Sequence, residues 1–260
     1  MLRVLRLGGV VVLVLVGLLI LAGIFPWASR ARRQALTMRW SRTLLATLGI
    51  RLRVSGTPPE AGGGVMFAAN HLSWLDPFLL LTRCPAHFVA KSEVRRWPVL
   101  GWLAAQSGTL FIERERRQDV GRISAAFTRL LRAGENVGLF PESTTGDGTA
   151  LNPFKPALLQ AACADGARLC PVAIRYVDQA DRAHPAPIWV GEMNFADSIL
   201  RITAARSIVA ELTFCPCIAG GHQPRRALAL QAETAIASVL CLPVPSIPPE
   251  TPDDPQGAAQ

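Results

Sequence analysis

The sequence predicts an α/β fold, a mixed and largely parallel sheet covered by helices, with an N-terminal membrane helix or two-helix membrane motif in front of it. Three observations carry this. An uncharged apolar run opens the chain, and short segments rich in Val, Ile, Leu and Phe punctuate it from about residue 54. Helical stretches fall between those segments. The expected division is an anchor with an amphipathic helix over residues 1–53, one catalytic domain over 54–242, and a Pro-rich tail over 243–260.

Composition narrows the class. At 260 residues, 50% hydrophobic and 18% charged, the chain can bury one substantial core and lacks the make-up of a disordered protein. Its net charge of +8 resides in residues 1–60, where nine arginines face Glu60 alone. A nucleic-acid binder spreads its basic footprint over the folded domain. An excess confined to one hydrophobic end points to anionic lipid headgroups instead, and no nucleic-acid partner is expected. The six cysteines are scattered without CxxC spacing, which reads as reduced thiols in a cytosolic domain. Cys215 and Cys217 form a lone CxC, read as small buried hydrophobes on a strand; no metal site is expected.

No charge lies between Arg6 and Arg30, and Leu7–Trp27 would form a helix of about 31 Å, against a bilayer core of about 30 Å. Pro26 and Trp27 close the run. Arg30, Arg32, Arg33, Arg39 and Arg42 follow it, a heavier positive flank than Arg3 and Arg6 before it, which places everything after residue 28 on the cytoplasmic side. The run is longer than a signal-peptide core of roughly 7–15 residues and has no clean small-x-small cleavage site. Leu36, Trp40, Leu44 and Leu48 then recur every four residues among arginines, the pattern of a basic amphipathic helix on a membrane surface. Two such helices could equally pack as a hairpin that enters one leaflet without crossing.

Beyond the anchor, strands are expected at Val65–Ala69, His87–Ala90, Thr109–Ile112, Val137–Phe140, Cys170–Arg175, Ile188–Gly191 and Ser207–Thr213. The clearest helix is Asp119–Ala133. Val120, Ile123, Phe127, Leu130 and Leu131 form its apolar stripe, Asp119 can cap its start, and Gly134 stands at its stop. Residues 243–260 hold six prolines and three acidic residues with few large apolar side chains, so no packed structure is expected there.

Two strand ends carry the chemistry. In GGGVMFAANHLSWLDPF (62–78) a strand runs into His71, and Asp76-Pro77 reads as a helix start, with Asp76 as its cap. A strand-to-helix turn can fold that carboxylate back onto the imidazole, giving a base that takes a proton from a hydroxyl. A capping Asp beside an ordinary loop His is the plainer reading of this segment alone. In VGLFPESTTGDGTALNPFK (137–155) a second strand breaks at Pro into a polar loop at the same expected sheet edge, where open α/β sheets place ligand sites. Between them SGTLFIERERR (107–117) ends a strand in a charge run whose guanidinium groups suit phosphate, although Arg116 and Arg117 read as a solvated helix start.

These residues resemble the glycerolipid acyltransferases. NHLSWLD is similar to that family's NHxxxxD block, GTLFIER to its GxxFIxR block, FPESTTGDG to its FPEGT block and CPVAIRY to its later proline-containing strand, in the same order over roughly residues 60–180. The resemblance implies that His71 is the general base, that Asp76 orients it, and that a lysolipid hydroxyl attacks an acyl thioester without a covalent enzyme intermediate. Acyl carrier protein or coenzyme A would carry the acyl group, no cofactor is needed, and the lysolipid acceptor is drawn from the membrane. The resemblance further implies that Arg114 contacts an anionic headgroup and Lys91 helps to hold phosphate. Glu142, with Ser143, Thr144 and Thr145 of its loop, would bind acceptor hydroxyls.

The departures are informative. Ser143 stands at the family's glycine and Thr145 where an arginine is usual, so one phosphate contact is missing. Such loops look similar to those of lyso-ornithine lipid acyltransferases, whose acceptor has no phosphate. The expected acceptor is 1-acyl-sn-glycerol-3-phosphate, giving phosphatidic acid, with lyso-ornithine lipid as the alternative. A serine hydrolase using Ser143 would need a nucleophile elbow, and no GxSxG occurs. Walker A, HExxH and GxGxxG patterns are also absent.

Overall fold

The computed structural model of the chain describes residues 1–60, 63–97, 99–113, 117–221 and 223–245. Most of the expected tail lies outside the described residues. The strands are β1 (Ile50–Ser55), β2 (Val65–Ala69), β3 (His87–Lys91), β4 (Leu110–Ile112), β5 (Val137–Leu139), β6 (Arg168–Val177), β7 (Ile208–Phe214) and β8 (Ile218–Ala219). The helices are α1 (Leu2–Gly23), α2 (Arg30–Leu48), α3 (Asp76–Leu81), α4 (Leu100–Gln106), α5 (Arg117–Arg132), α6 (Phe195–Ala204) and α7 (Arg225–Leu240). The sheet runs β1-β7-β6-β2-β5-β3-β4, with β8 beside β6. Strands β6, β2, β5, β3 and β4 are mutually parallel, while β7 is antiparallel to β6 and β1 parallel to β7. The sheet is thus mixed and mostly parallel, as its alternation with helices requires.

Strand alternation divides the core in two. From the central, wholly buried β2, Val65, Phe67 and Ala69 point into a cluster with Leu44, Leu48, Leu79 and Ile202 from α2, α3 and α6. Met66 and Ala68 point the other way, toward Ile123 and Phe127 of α5 and Leu228 and Ile236 of α7. Neither face of β2 meets water, which explains its continuous apolar run.

Several expectations need correction. Ile188–Gly191 is not a strand. Pro185 and Pro187 interrupt the pattern, and the Trp189 N–H donates to the Leu72 carbonyl (2.9 Å), so the segment covers the turn after β2 instead of extending the sheet. β1 was not expected. Ile50, Leu52 and Val54 alternate as a strand should, but Arg51 and Arg53 read as a continuation of the basic helix, and the expected 53/54 boundary falls inside β1. The two-residue β8 was also missed, and Cys215 and Cys217 follow β7 instead of lying on it, the first buried and the second exposed. Helix α5 starts at Arg117, so Asp119 sits in its first turn, accepts from the Glu113 N–H (2.8 Å) and pairs with Arg122.

The N-terminal helices form an antiparallel hairpin. Trp40 donates from Nε1 to the Leu13 carbonyl (3.0 Å), and its ring packs on Phe78 of α3 at 5.7 Å. The α2 stripe expected to lie on a membrane surface faces inward, with Leu44 and Leu48 core and Leu36 and Trp40 half-buried, while Val11, Val12, Leu15, Val16 and Leu19 of α1 are exposed. Both ends of α1 are tied to the sheet domain. Arg6 donates to the Thr203 and Ala205 carbonyls at the end of α6 (3.2 and 2.6 Å). Beyond the other end, Arg30 donates to the Gly134 carbonyl after α5 (2.9 Å) and pairs with Glu135 at 2.6 Å. Gly49 ends α2 with φ 75°, and a Cβ there would lie 1.9 Å from the Arg6 guanidinium.

Candidate active site

Parallel pairing of β2 with β5 and β6 brings three strand ends together, so His71, Glu142 and Tyr176 emerge at one edge. Asn70 prolongs the β2–β6 ladder with its side chain. Its Nδ2 donates to the Ile174 carbonyl (3.0 Å) and its Oδ1 accepts from the Ile174 N–H (2.7 Å), so the chain can leave the sheet without orphaning those groups.

Immediately beyond, His71 Nδ1 lies 2.8 Å from Asp76 Oδ2. Asp76 is the first residue of α3 and does not cap the helix as expected. It folds back over the turn instead. Oδ2 accepts from the N–H groups of Leu72 (2.7 Å) and Ser73 (2.8 Å), and Oδ1 accepts from the Tyr176 hydroxyl (2.7 Å). The side chain is fully buried, yet four donors converge on it, a number that only a carboxylate with its full set of lone pairs can serve. With Nδ1–H held by this carboxylate, the imidazole lone pair sits on Nε2. The ring stacks on Phe140 at 4.1 Å and 14°, and its side chain keeps 15% exposure, so it is steered but reachable.

The loop after β5 clamps the same histidine by its backbone. Glu142 Oε1 accepts from the His71 N–H (2.8 Å), Oε2 accepts from the Asn152 N–H and Nδ2 (both 2.9 Å), and the Gly146 N–H donates to the His71 carbonyl (2.8 Å). Burial pushes the Glu142 carboxyl above its usual range, against the opposing pull of those hydrogen bonds. Tyr176 is displaced upward more strongly, by burial first and by the neighbouring Asp76 charge second, so its hydroxyl remains a proton donor.

The other expected residues are spread along the same edge. Ser143 is buried with φ 61°, Thr144 is exposed and Thr145 half-buried. Lys91 is exposed and ends β3, two strands from β2, or about 10 Å at ordinary strand spacing. Arg114 lies outside the described residues. A narrow apolar cavity of about 30 Å³ runs behind Phe140, lined by Val89, Ile112, Phe127, Leu139 and Ser143 among others. Among the described residues no hydrogen bond joins Ser143 to His71, the contact that a serine hydrolase needs. Nor does any group of three His, Cys, Asp or Glu side chains there suit a metal ion. Asn70, Phe140, Asn152 and Tyr176 were not singled out from sequence. Asn70 precedes His71 in NHLSWLD, and Tyr176 closes CPVAIRY as the only tyrosine of the chain.

Residues 51–175 match the family model described as Acyltransferase. The 1-acyl-sn-glycerol-3-phosphate acyltransferase of Neisseria meningitidis is 36% identical over 221 residues, 85% of this chain and 86% of that one. The lyso-ornithine lipid O-acyltransferase of Pseudomonas aeruginosa is 35% identical over 208 residues, 80% of this chain and 79% of that one. In fold, the chain is similar to the crystal structure of the 1-acyl-sn-glycerophosphate acyltransferase from Thermotoga maritima, with a TM-score of 0.69, 18% identity and coverage of 92% and 93%.

Proposed function

This chain belongs to the acyltransferase family that includes 1-acyl-sn-glycerol-3-phosphate and lyso-ornithine lipid acyltransferases, and we propose that it moves a fatty acyl chain from a thioester to a lysolipid hydroxyl. The acceptor in this reading is 1-acyl-sn-glycerol-3-phosphate and the product phosphatidic acid. The observation that carries it is the His71–Asp76 pair at the junction of three strand ends, with Nδ1 held and Nε2 left to the substrate. Nε2 takes the proton as the acceptor oxygen bonds to the thioester carbonyl carbon. The tetrahedral intermediate then expels the thiolate, which leaves with the proton that His71 gives back. Asp76 stays ionised and stabilises the imidazolium. Such a base contributes roughly 10² to 10⁴ in rate.

The donor in this reading is acyl carrier protein or coenzyme A, and Lys91 with Arg114 meets the acceptor phosphate. Glu142 serves the acceptor through the loop it organises, because both its oxygens already accept protein N–H groups. A lyso-ornithine acceptor is the second reading, favoured by Thr145 in the arginine position and by relatives that carry that name. The test incubates the protein in liposomes with labelled acyl thioester and each lysolipid separately. Labelled phosphatidic acid supports the first reading, and label only in the ornithine lipid replaces it by the second.

Attachment follows from the hairpin. We assign it to one leaflet of a bacterial inner membrane, with the sheet domain on the cytoplasmic side. Supporting this, Arg6 near one end of α1 and Arg30 beyond the other both bind carbonyls of that one domain, whereas a spanning helix separates its ends by about 30 Å of hydrocarbon. A tag at residue 1 that is accessible only from the cytoplasmic side agrees; access from the opposite side sinks the one-leaflet assignment. Held there, the site receives lysolipid laterally and avoids extracting its chain into water at about 0.8 kcal/mol per CH₂.

A further inference from the structure

Tyr176 is the chain's single tyrosine, only 2% exposed, and its hydroxyl reaches the oxygen of Asp76 that no backbone N–H serves. Building on the proposed His71–Asp76 chemistry, we infer that Tyr176 is a positioning residue that locks the Asp76 carboxylate, and through it the tautomer and orientation of His71.

The two oxygens of Asp76 are unequally supplied. Oδ2 holds three N–H donors, those of Leu72, Ser73 and His71, whereas Oδ1 receives the Tyr176 O–H at 2.7 Å. Three donors on one oxygen leave rotation about Cβ–Cγ to be fixed from the other side, where the Tyr176 O–H stands. The tyrosine is itself rigidly held. Its strand pairs with β7 at Tyr176↔Ala210, its carbonyl accepts from the His184 N–H (2.9 Å), and Asn70 grips Ile174 two residues earlier. The phenol O–H has its acceptor in Asp76 Oδ1. β6 therefore reaches the catalytic turn twice, through Asn70 at the backbone and through Tyr176 at the carboxylate. Without the phenol O–H, Oδ1 would be a buried charged acceptor without a donor, and the carboxylate would turn to share its N–H groups between both oxygens. That turn tilts the imidazole. The effect falls on the proton-transfer step, because substrate touches His71 and not Tyr176.

Tyr176→Phe keeps the ring and removes the one oxygen. Measured with labelled thioester and lysophosphatidate in liposomes, it is expected to lower kcat roughly 10- to 100-fold and leave KM for both substrates within about twofold, the loss of one hydrogen bond to a charged group. A loss that comes only from packing would persist in any background. In Asp76→Asn, however, the same change is expected to cost less than about twofold further, because the tyrosine acts only through that carboxylate. The lone tyrosine also gives a direct readout: ¹³Cζ-tyrosine labelling yields one resonance, which must move between wild type and Asp76→Asn whether or not turnover is measurable. Wild-type kcat in Tyr176→Phe while His71→Ala is inactive overturns the tyrosine's role and spares the dyad. So does an unmoved resonance. Full activity in His71→Ala overturns both.

Discussion

At the scale of single residues, the site is governed by where hydrogen-bond donors are directed. Glu142 uses both oxygens on N–H groups of His71 and Asn152, so Glu142→Gln must set an NH₂ against at least one N–H donor. That substitution is expected to lower stability by about 1–3 kcal/mol and to reduce kcat, read by urea denaturation and initial rates. The pH dependence has a definite sign. Because the folded Glu142 carboxyl lies above its usual value of about 4.3, the folded protein binds the proton more tightly than the unfolded chain. Its contribution is complete below that usual value and is lost as pH rises through the folded one, so the destabilisation by Glu142→Gln is largest in acid and shrinks toward neutrality. A gap that widens with pH contradicts this. Ser143 shows a different kind of constraint. It sits at φ 61° where the family block has glycine, so Ser143→Gly is expected to gain about 1 kcal/mol by thermal or urea unfolding while turnover persists. His71, Asp76 and the FPEST loop were legible in the sequence because strand-to-turn breaks at Asn70-His71 and Phe140-Pro141 mark them. Tyr176 was not legible, because its partner lies 100 residues away and only the β2–β6 pairing brings them together.

Elements were readable where one period ruled and unreadable where two signals overlapped. β2 stands out as a continuous apolar run and the stripe of α5 at a period of 3.6, and both occur within a few residues of where they were expected. β1 was hidden because its alternating arginines continue the charge pattern of α2, and Ile188–Gly191 misled because Pro185 and Pro187 turn its apolar run into a cover over the turn after β2. The junction of α2 and β1 shows what holds the hairpin. Gly49 takes a left-handed conformation with the Arg6 guanidinium over its Cα, leaving no room for a side chain. Gly49→Ala is therefore expected to lower stability by about 1–2 kcal/mol and to raise hydrogen exchange in α1 and at the end of α6, where Arg6 binds. Unchanged exchange there contradicts the view that Arg6 ties the hairpin to the domain.

For the whole molecule, a mostly parallel sheet gathers strand ends at one edge, and the apolar hairpin is fixed to the same body by arginine-carbonyl contacts at both ends. The fold class, the membrane-prone N-terminus and the strand ends where the proposed site lies were legible, because hydrophobic period and charge placement are local signals. How the hairpin sits on the sheet was not, since it depends on pairings such as Arg30 with Glu135, which no periodicity announces. A membrane-held His71–Asp76 dyad has a direct consequence for turnover. Wild-type protein and His71→Ala, both recovered in the membrane fraction with matching thermal unfolding, are supplied with labelled acyl thioester and lysophosphatidate. Labelled diacyl product is expected from wild type, with a loss of at least about 10²-fold in the variant. Transfer by folded, membrane-bound His71→Ala at the wild-type rate would contradict it.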